Sequence, residues 1–147
     1  MSRPLFEIVS ADSVQVYRYL DIGSAKPSAF QRSLVPHHLI DVVEPDEVFT
    51  AGEFCRRAEA ICGGIAGRGK IPLFVGGTGL YIDSFFKGLS EVPEVSDDVK
   101  RALRNELADK GLGFLYKRLL EADPVFASRV HGNDRQRILR GLEVYIS

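Results

Sequence analysis

Three short clusters in this 147-residue chain combine residue types that can do chemistry. The first is SADSVQVYRYLDIGSAKP, Ser10 to Pro27, which follows the apolar run from Leu5 to Val9. It sets a carboxylate, Asp12, where a strand should be ending, with Ser13 and Gln15 beside it. A carboxylate there can take a proton from a nucleophile. It can equally cap a turn, as Asx residues do. The second cluster is GGTG, Gly76 to Gly79, directly after the run from Ile71 to Val75. Glycines let backbone N–H groups close on an anion, and a helix beginning there favours negative charge. Thr78 adds a hydroxyl. A tight turn that needs glycine for its backbone is the alternative. The third cluster is QRILR, which on a helix puts Gln136, Arg137 and Arg140 on one side and Ile138, Leu142 and Tyr145 on the other. Two guanidiniums and an amide match phosphate or base contacts, and a solvated helix face accounts for the same pattern.

Two other stretches carry less. GIAGRGKI, Gly64 to Ile71, fits GxxxxGK but has Ile71 where a phosphate loop needs Ser or Thr. It also closes a helix and precedes a strand, the reverse of the phosphate-loop order, so it reads as a helix stop. PHHLID, Pro36 to Asp41, holds two of the three histidines but no acid or cysteine at zinc-ligand spacing. His37 and His38 read as a turn entering a strand, and either can line a ligand edge. GGTG is not a dinucleotide fingerprint, because Ile82 occupies the third glycine position.

The elements that must position these residues follow from periodicity. Strands are expected at Phe6 to Ser10, Leu39 to Val43 and Ile71 to Val75. Each is nearly continuous in apolar residues, which predicts a parallel sheet covered on both faces. Thr50 caps a helix, with Glu53 completing a capping box, and Phe54, Ala58, Ile61, Cys62 and Ile65 follow at helical spacing. Gly67 and Gly69 stop it. A second helix follows GGTG through Leu80, Tyr81, Ser84, Phe85 and Leu89. In an open parallel sheet ligands bind beyond the carboxyl ends of the strands, so Asp12 and Thr78 should rise on one edge. From Ser96 onward the pattern is helical only: a helix capped by Ser96 and stopped by Gly111, one through Leu115 and Leu119, a short one started by Asp123 and Pro124, and a last one from Asn133 or Asp134. The texture changes between Glu91 and Ser96, predicting an α/β part over residues 1–92 and a helical part over 93–147.

The totals bound the function. Nineteen Lys and Arg face twenty Asp and Glu, a net charge of -1, so any nucleic-acid site must be local. With 45% hydrophobic residues the chain can bury a real core. Cys55 and Cys62 fall two helical turns apart, about 10 Å, which is too far for a disulfide and suits buried thiols. No apolar run is long enough for a membrane span or a signal peptide, so the cytoplasm is the expected compartment.

SADSVQVYRYLDIGSAKP, PHHLIDV, PLFVGGTGLYI and NDRQRILRGLEVY, in this order and spacing, resemble the tRNA dimethylallyltransferases, also called tRNA isopentenyltransferases. The resemblance covers nearly the whole chain. It implies an α/β, parallel-sheet core like that of phosphate-loop NTPases, with nucleotide (ATP-type) binding, followed by a helical tRNA-contacting segment. It implies transfer of a dimethylallyl group from dimethylallyl diphosphate to the exocyclic amine of an adenosine beside the tRNA anticodon. Under it Asp12 is the general base and Thr78 its catalytic neighbour. Asp12, Ser13, Gln15, Gln136, Arg137 and Arg140 meet the tRNA. Gly76, Gly77, Thr78, Gly79 and Lys26 border the diphosphate channel. Mg²⁺ is the implied cofactor, with no ligand identified in this chain.

The chain departs from the family pattern in starting at its second strand, without the GxxxxGK[ST] loop, and in stopping soon after LEVY. It therefore reads as a fragment, truncated at both ends and inactive by itself, whose opened sheet is expected to loosen or self-associate through strand edges. The rival readings are an adenylate isopentenyltransferase acting on free nucleotides, a phosphate-loop small-molecule kinase, and a non-catalytic RNA-binding module.

Overall fold

A computed structural model describes residues 5–89 and 93–147, which form two compact units, Met1–Leu89 and Ser90–Ser147. Glu91 and Val92, where the texture of the sequence changes, lie outside the described residues, as do Met1 to Pro4.

The first unit is α/β. Strands β1 (Phe6–Ser10), β2 (His37–His38) and β3 (Ile71–Val75) form a parallel sheet in the order β2-β1-β3. Helices α1 (Ala29–Leu34), α2 (Ala51–Gly67) and α3 (Gly79–Lys87) complete it. Alternation along β1 and β3 sends Val9 and Phe74 toward α2 and α3, into a core with Phe54, Ala58, Ile65 and Tyr81. Tyr81 stacks on Phe54 at 4.6 Å between ring centroids, and Phe74 meets Phe85 at 4.8 Å.

Several expectations change here. The sheet is covered on one face rather than both: Ile71, Leu73 and Val75 alternate outward and are 65%, 44% and 49% exposed. The second strand is His37–His38, not Leu39 to Val43. Leu39 and Asp41 both take left-handed backbone angles (φ 62° and 56°), which breaks an extended run, and Val43 instead bridges Tyr17. The two histidines are thus the strand itself, paired with Ile8 and Val9. Of the residues expected on α3, Tyr81 and Ser84 are buried but Leu80 is exposed, and Leu89 lies past the helix end. Periodicity does not announce helix α1, although Ser28 and Gln31 form a full capping box. At α2 Thr50 accepts from the Glu53 N–H, but the Glu53 carboxylate turns to Arg56 and Arg57 instead of closing the box. Cys55 and Cys62 are free and half-buried, and burial raises both thiols above their usual range.

The second unit is helical: α4 (Asp97–Lys110), α5 (Leu112–Ala122), α6 (Pro124–Ala127) and α7 (Arg135–Ile146). Ser96, Asp123 and Asp134 cap α4, α6 and α7 through their side chains, and Gly111 ends α4 at φ 78°. Leu103, Leu115, Leu119, Ile138 and Leu142 form the core. Tyr145, expected on the inner side of α7, is 62% exposed.

Glu7, midway along β1, is the one acid on the helix-covered face of that strand. Its side chain is only 4% exposed, yet it is enclosed by its own partners: Arg68 Nη2 at 2.8 Å, His38 Nε2 at 2.8 Å and Lys70 Nζ at 3.0 Å. The Arg68 hydrogen bond, then those of His38 and Lys70, outweigh desolvation and lower its pKa to about 2. A depressed folded-state pKa stabilises the fold fully above the unfolded value near 4.5 and is lost as pH falls toward 2. Glu7→Gln should therefore unfold at lower urea than the parent at pH 7, with the gap closing between pH 4.5 and 2. A gap that stays constant with pH would contradict this electrostatic role.

Candidate functional site

The carboxyl ends of β1 and β3 are laced together. Ala11 N–H donates to Val75 O at 2.8 Å, and Thr78 N–H donates to Ala11 O at 3.0 Å. Ser13 N–H donates to Thr78 Oγ1 at 2.8 Å, and that hydroxyl donates on to Ser13 Oγ at 3.1 Å. Because Thr78 Oγ1 serves Ser13, it makes no side-chain cap for α3, which begins at the next residue. Gly76 permits the approach: a Cβ there would lie 2.3 Å from Ala11 O. The sequence expectation that Asp12 and the glycine turn share one edge of the sheet matches this arrangement.

Asp12 is half-buried just past the carboxyl end of β1. Its Oδ1 accepts the N–H groups of Val14 at 2.8 Å and Gln15 at 3.1 Å, so the carboxylate does cap its own turn. Its Oδ2 has no hydrogen-bond or ion-pair partner among the described residues. One oxygen thus fixes the orientation of the carboxylate. Beneath lies Tyr81, whose hydroxyl reaches Phe49 O at 3.4 Å. Burial first, then the nearby Tyr17 and Asp12, push the Tyr81 hydroxyl pKa up, which keeps it neutral.

Gln15 differs from the sequence picture of a nucleotide contact. Its amide nitrogen donates to Ser24 O at 3.0 Å and Ala25 O at 3.2 Å, and its oxygen accepts from Ser10 Oγ at 3.2 Å. Both of its side-chain N–H donors are committed to holding the 24–25 loop against β1. Lys26 is likewise engaged: its ammonium donates to Tyr17 O at 2.6 Å, Asp41 Oδ1 at 2.7 Å and Asp21 Oδ1 at 3.0 Å, with its side chain 4% exposed. Burial pulls its pKa down, but Asp41 and Asp21 outweigh that and leave it raised. Arg32 Nη1 takes the other Asp41 oxygen at 2.7 Å. An ammonium with three acceptors has no donor left for a diphosphate. The Ser10, Asp41 and Arg32 contributions were not read from sequence, although an acid inside LIDVV was a visible cue.

In the helical unit, Gln136, Arg137 and Arg140 are all exposed on α7. Arg137 lies 3.5 Å from Asp134 and Arg140 3.2 Å from Glu143, contacts weak enough to exchange for a phosphate. Arg140 also lines an open cleft of about 820 Å³ with Lys100 and Ser96. The GIAGRGKI stretch is, as its residue order requires, the end of α2 and the turn into β3.

The chain matches a family model described as IPP transferase over residues 15–147. It is 52% identical over 139 residues to the tRNA dimethylallyltransferase 1 of Syntrophotalea carbinolica, covering 95% of this chain and 44% of that protein. The solved full-length tRNA isopentenylpyrophosphate transferase of Bacillus halodurans is 37% identical, with a TM-score of 0.56 over 94% of this chain and 46% of that one. A eukaryotic dimethylallyltransferase, solved acting on tRNA, is 29% identical with a TM-score of 0.75, over 95% of this chain and 35% of that one. The chain thus spans less than half the length of these relatives.

Gly76→Ala should destabilise the first unit by about 2–4 kcal/mol, because the added methyl meets backbone rather than a movable side chain. At Gly77 a Cβ meets nothing within 4 Å, so Gly77→Ala should change stability by less than about 1 kcal/mol. Urea unfolding followed by circular dichroism separates the two. Equal effects would contradict the close approach.

Proposed function

The chain belongs to the IPP transferase family, and on that premise we propose that it carries the acceptor side of dimethylallyl transfer to tRNA. The donor is dimethylallyl diphosphate, and the acceptor is the exocyclic amine of an adenosine beside the anticodon. That amine is a weak nucleophile, because its lone pair is delocalised into the purine ring. The new C–N bond forms as the allylic C–O bond breaks. The amine proton passes to Asp12 Oδ2, and diphosphate leaves with the bonding electrons. The observation that carries this reading is the divided carboxylate: Oδ1 is tied to the Val14 and Gln15 N–H groups while Oδ2 has no partner among the described residues.

The same reading assigns the remaining roles. Thr78 holds Ser13, and Ser13 Oγ keeps its own proton to donate to the nucleotide. Gly76 and Gly77 offer backbone N–H groups, and the amino end of α3 offers its dipole, to the diphosphate, while the Thr78 and Gly79 N–H groups are held by Ala11 O and Gly77 O. Gln15 and Lys26 act by holding the loop in shape rather than by touching substrate. The target adenine leaves its stack to enter this edge. Gln136, Arg137 and Arg140 bind the phosphates of the anticodon stem-loop, which makes α4–α7 the tRNA-contacting segment. Magnesium would neutralise diphosphate in such chemistry. No group of three or more His, Cys, Asp or Glu able to hold it occurs among the described residues. Among the described residues no helix is long and apolar enough to cross a membrane. By its likeness to tRNA-acting relatives we assign the chain to the cytoplasm. All three of the relatives above carry tRNA or isopentenyl transfer in their names, which favours this reading over a free-nucleotide enzyme or a kinase.

Two experiments test it. Arg137→Ala with Arg140→Ala should weaken binding of an anticodon stem-loop about tenfold or more at 100 mM salt and flatten its salt dependence. Unchanged affinity removes α7 from the interface. Transfer is assayed with the chain alone and with the chain joined to the remaining sequence of the S. carbinolica relative. Asp12→Asn should lower the rate by about 10²–10⁴-fold while RNA affinity holds. A variant that turns over like the parent rules Asp12 out as the base.

A further inference from the structure

Between β2 and the second turn of α2 lies a groove of about 440 Å³ that the transfer reaction does not use; neither Asp12 nor Thr78 lines it. Its floor is apolar, with Ile40, Val42 and Ile61, and its rim carries the guanidiniums of Arg56 and Arg57 and the imidazole of His37. The rim is held in place. The Glu53 carboxylate accepts from Arg56 Nε at 3.1 Å and Nη2 at 2.6 Å, and from Arg57 Nε. The Arg57 guanidinium also sits 5.4 Å from the centre of the Phe49 ring. One carboxylate shared between two guanidiniums leaves a net positive charge. Arg56 Nη1 and both Arg57 Nη groups have no acceptor among the described residues. His37 Nδ1 lies 2.7 Å from Val35 O and donates to it, so Nε2 is left facing away from that bond. The backbone of the floor is strained as well, with left-handed angles at Leu39 and Asp41 on either side of Ile40. Such angles cost of order 1–3 kcal/mol each and cluster at ligand sites.

Pre-oriented guanidinium donors above an apolar floor suit a ligand with an anionic head and a flat, weakly polar body. We propose that this groove is a second nucleotide site, separate from the Asp12 centre. It takes a phosphate on Arg56 and Arg57 and a nucleobase on Ile40, Val42 and Ile61. A free nucleotide and one nucleotide of an RNA strand present the same chemistry.

The test is a ¹⁵N-edited NMR titration of the chain with AMP, adenosine, inorganic phosphate and a short unstructured RNA lacking terminal phosphates. AMP should shift the Val42, Arg57 and Ile61 amides saturably. Adenosine should bind at least about tenfold more weakly, for want of the charge-assisted pair. Arg57→Gln, with Arg56→Gln as the second variant, should each weaken AMP about tenfold while the rest of the spectrum stays native. If the RNA shifts the same amides, the site accepts nucleotides within a strand; if AMP alone does, it accepts the free nucleotide. The proposal is overturned if no ligand shifts these amides saturably, if adenosine binds as well as AMP, or if phosphate alone reproduces the AMP pattern. Shifts at Arg137 and Arg140 in the same spectra report the α7 interface independently, so either site can fail without the other.

Discussion

Everything at the candidate centre depends on how closely the end of β1 approaches the turn after β3. The Ala11 carbonyl occupies space that any side chain at position 76 would need. Only because that space is free can Thr78 N–H reach Ala11 O and Thr78 Oγ1 reach the Ser13 N–H. Those two bonds fix the backbone on both sides of Asp12. The carboxylate then has little choice of direction, and its Oδ1 closes onto Val14 and Gln15. A proton acceptor works only if it is already aimed at the proton it will take. The glycine at 76 therefore sets where the acid points.

Two charge clusters keep that edge in register. Glu7 joins β1 to β2 through His38 and to the α2–β3 turn through Arg68 and Lys70. Asp41 joins the loop carrying Lys26 to helix α1 through Arg32. Enclosed ion pairs are weak contributors to net stability, since desolvation offsets their attraction, but breaking one side of such a pair is costly. Their effect is to disfavour alternative loop arrangements. Tyr19, Ala25, Leu39 and Asp41 all hold left-handed backbone angles in this same region. Such angles persist only where surrounding contacts over-determine them.

Much of the frame could be read from periodicity and caps. Phe6–Ser10 and Ile71–Val75 are strands, Thr50, Ser96, Asp123 and Asp134 start helices, and Gly111 ends one. The motif residues Asp12, Ser13 and Thr78 do meet at one edge. What failed to show was long-range or unusual in backbone. Leu39 and Asp41 look like strand residues by type, and nothing local signals their left-handed angles. Exposure of Ile71, Leu73 and Val75 cannot be inferred from a run of apolar letters, since the same run suits a strand covered on both faces. Gln15 and Lys26 looked free to meet a ligand because their partners, Ser24 O, Ala25 O, Tyr17 O and Asp41, are mostly backbone atoms or residues far along the chain.

The central claim is that Asp12 Oδ2 meets the amine that reacts. The direct measurement is a crystal structure of the chain bound to an anticodon stem-loop RNA. The account predicts an adenine drawn out of its stack, with its exocyclic nitrogen about 2.6–3.2 Å from Asp12 Oδ2 and Oδ1 still on the Val14 and Gln15 N–H groups. An adenine bound elsewhere, or an Asp12 with both oxygens turned into its own loop, would contradict it.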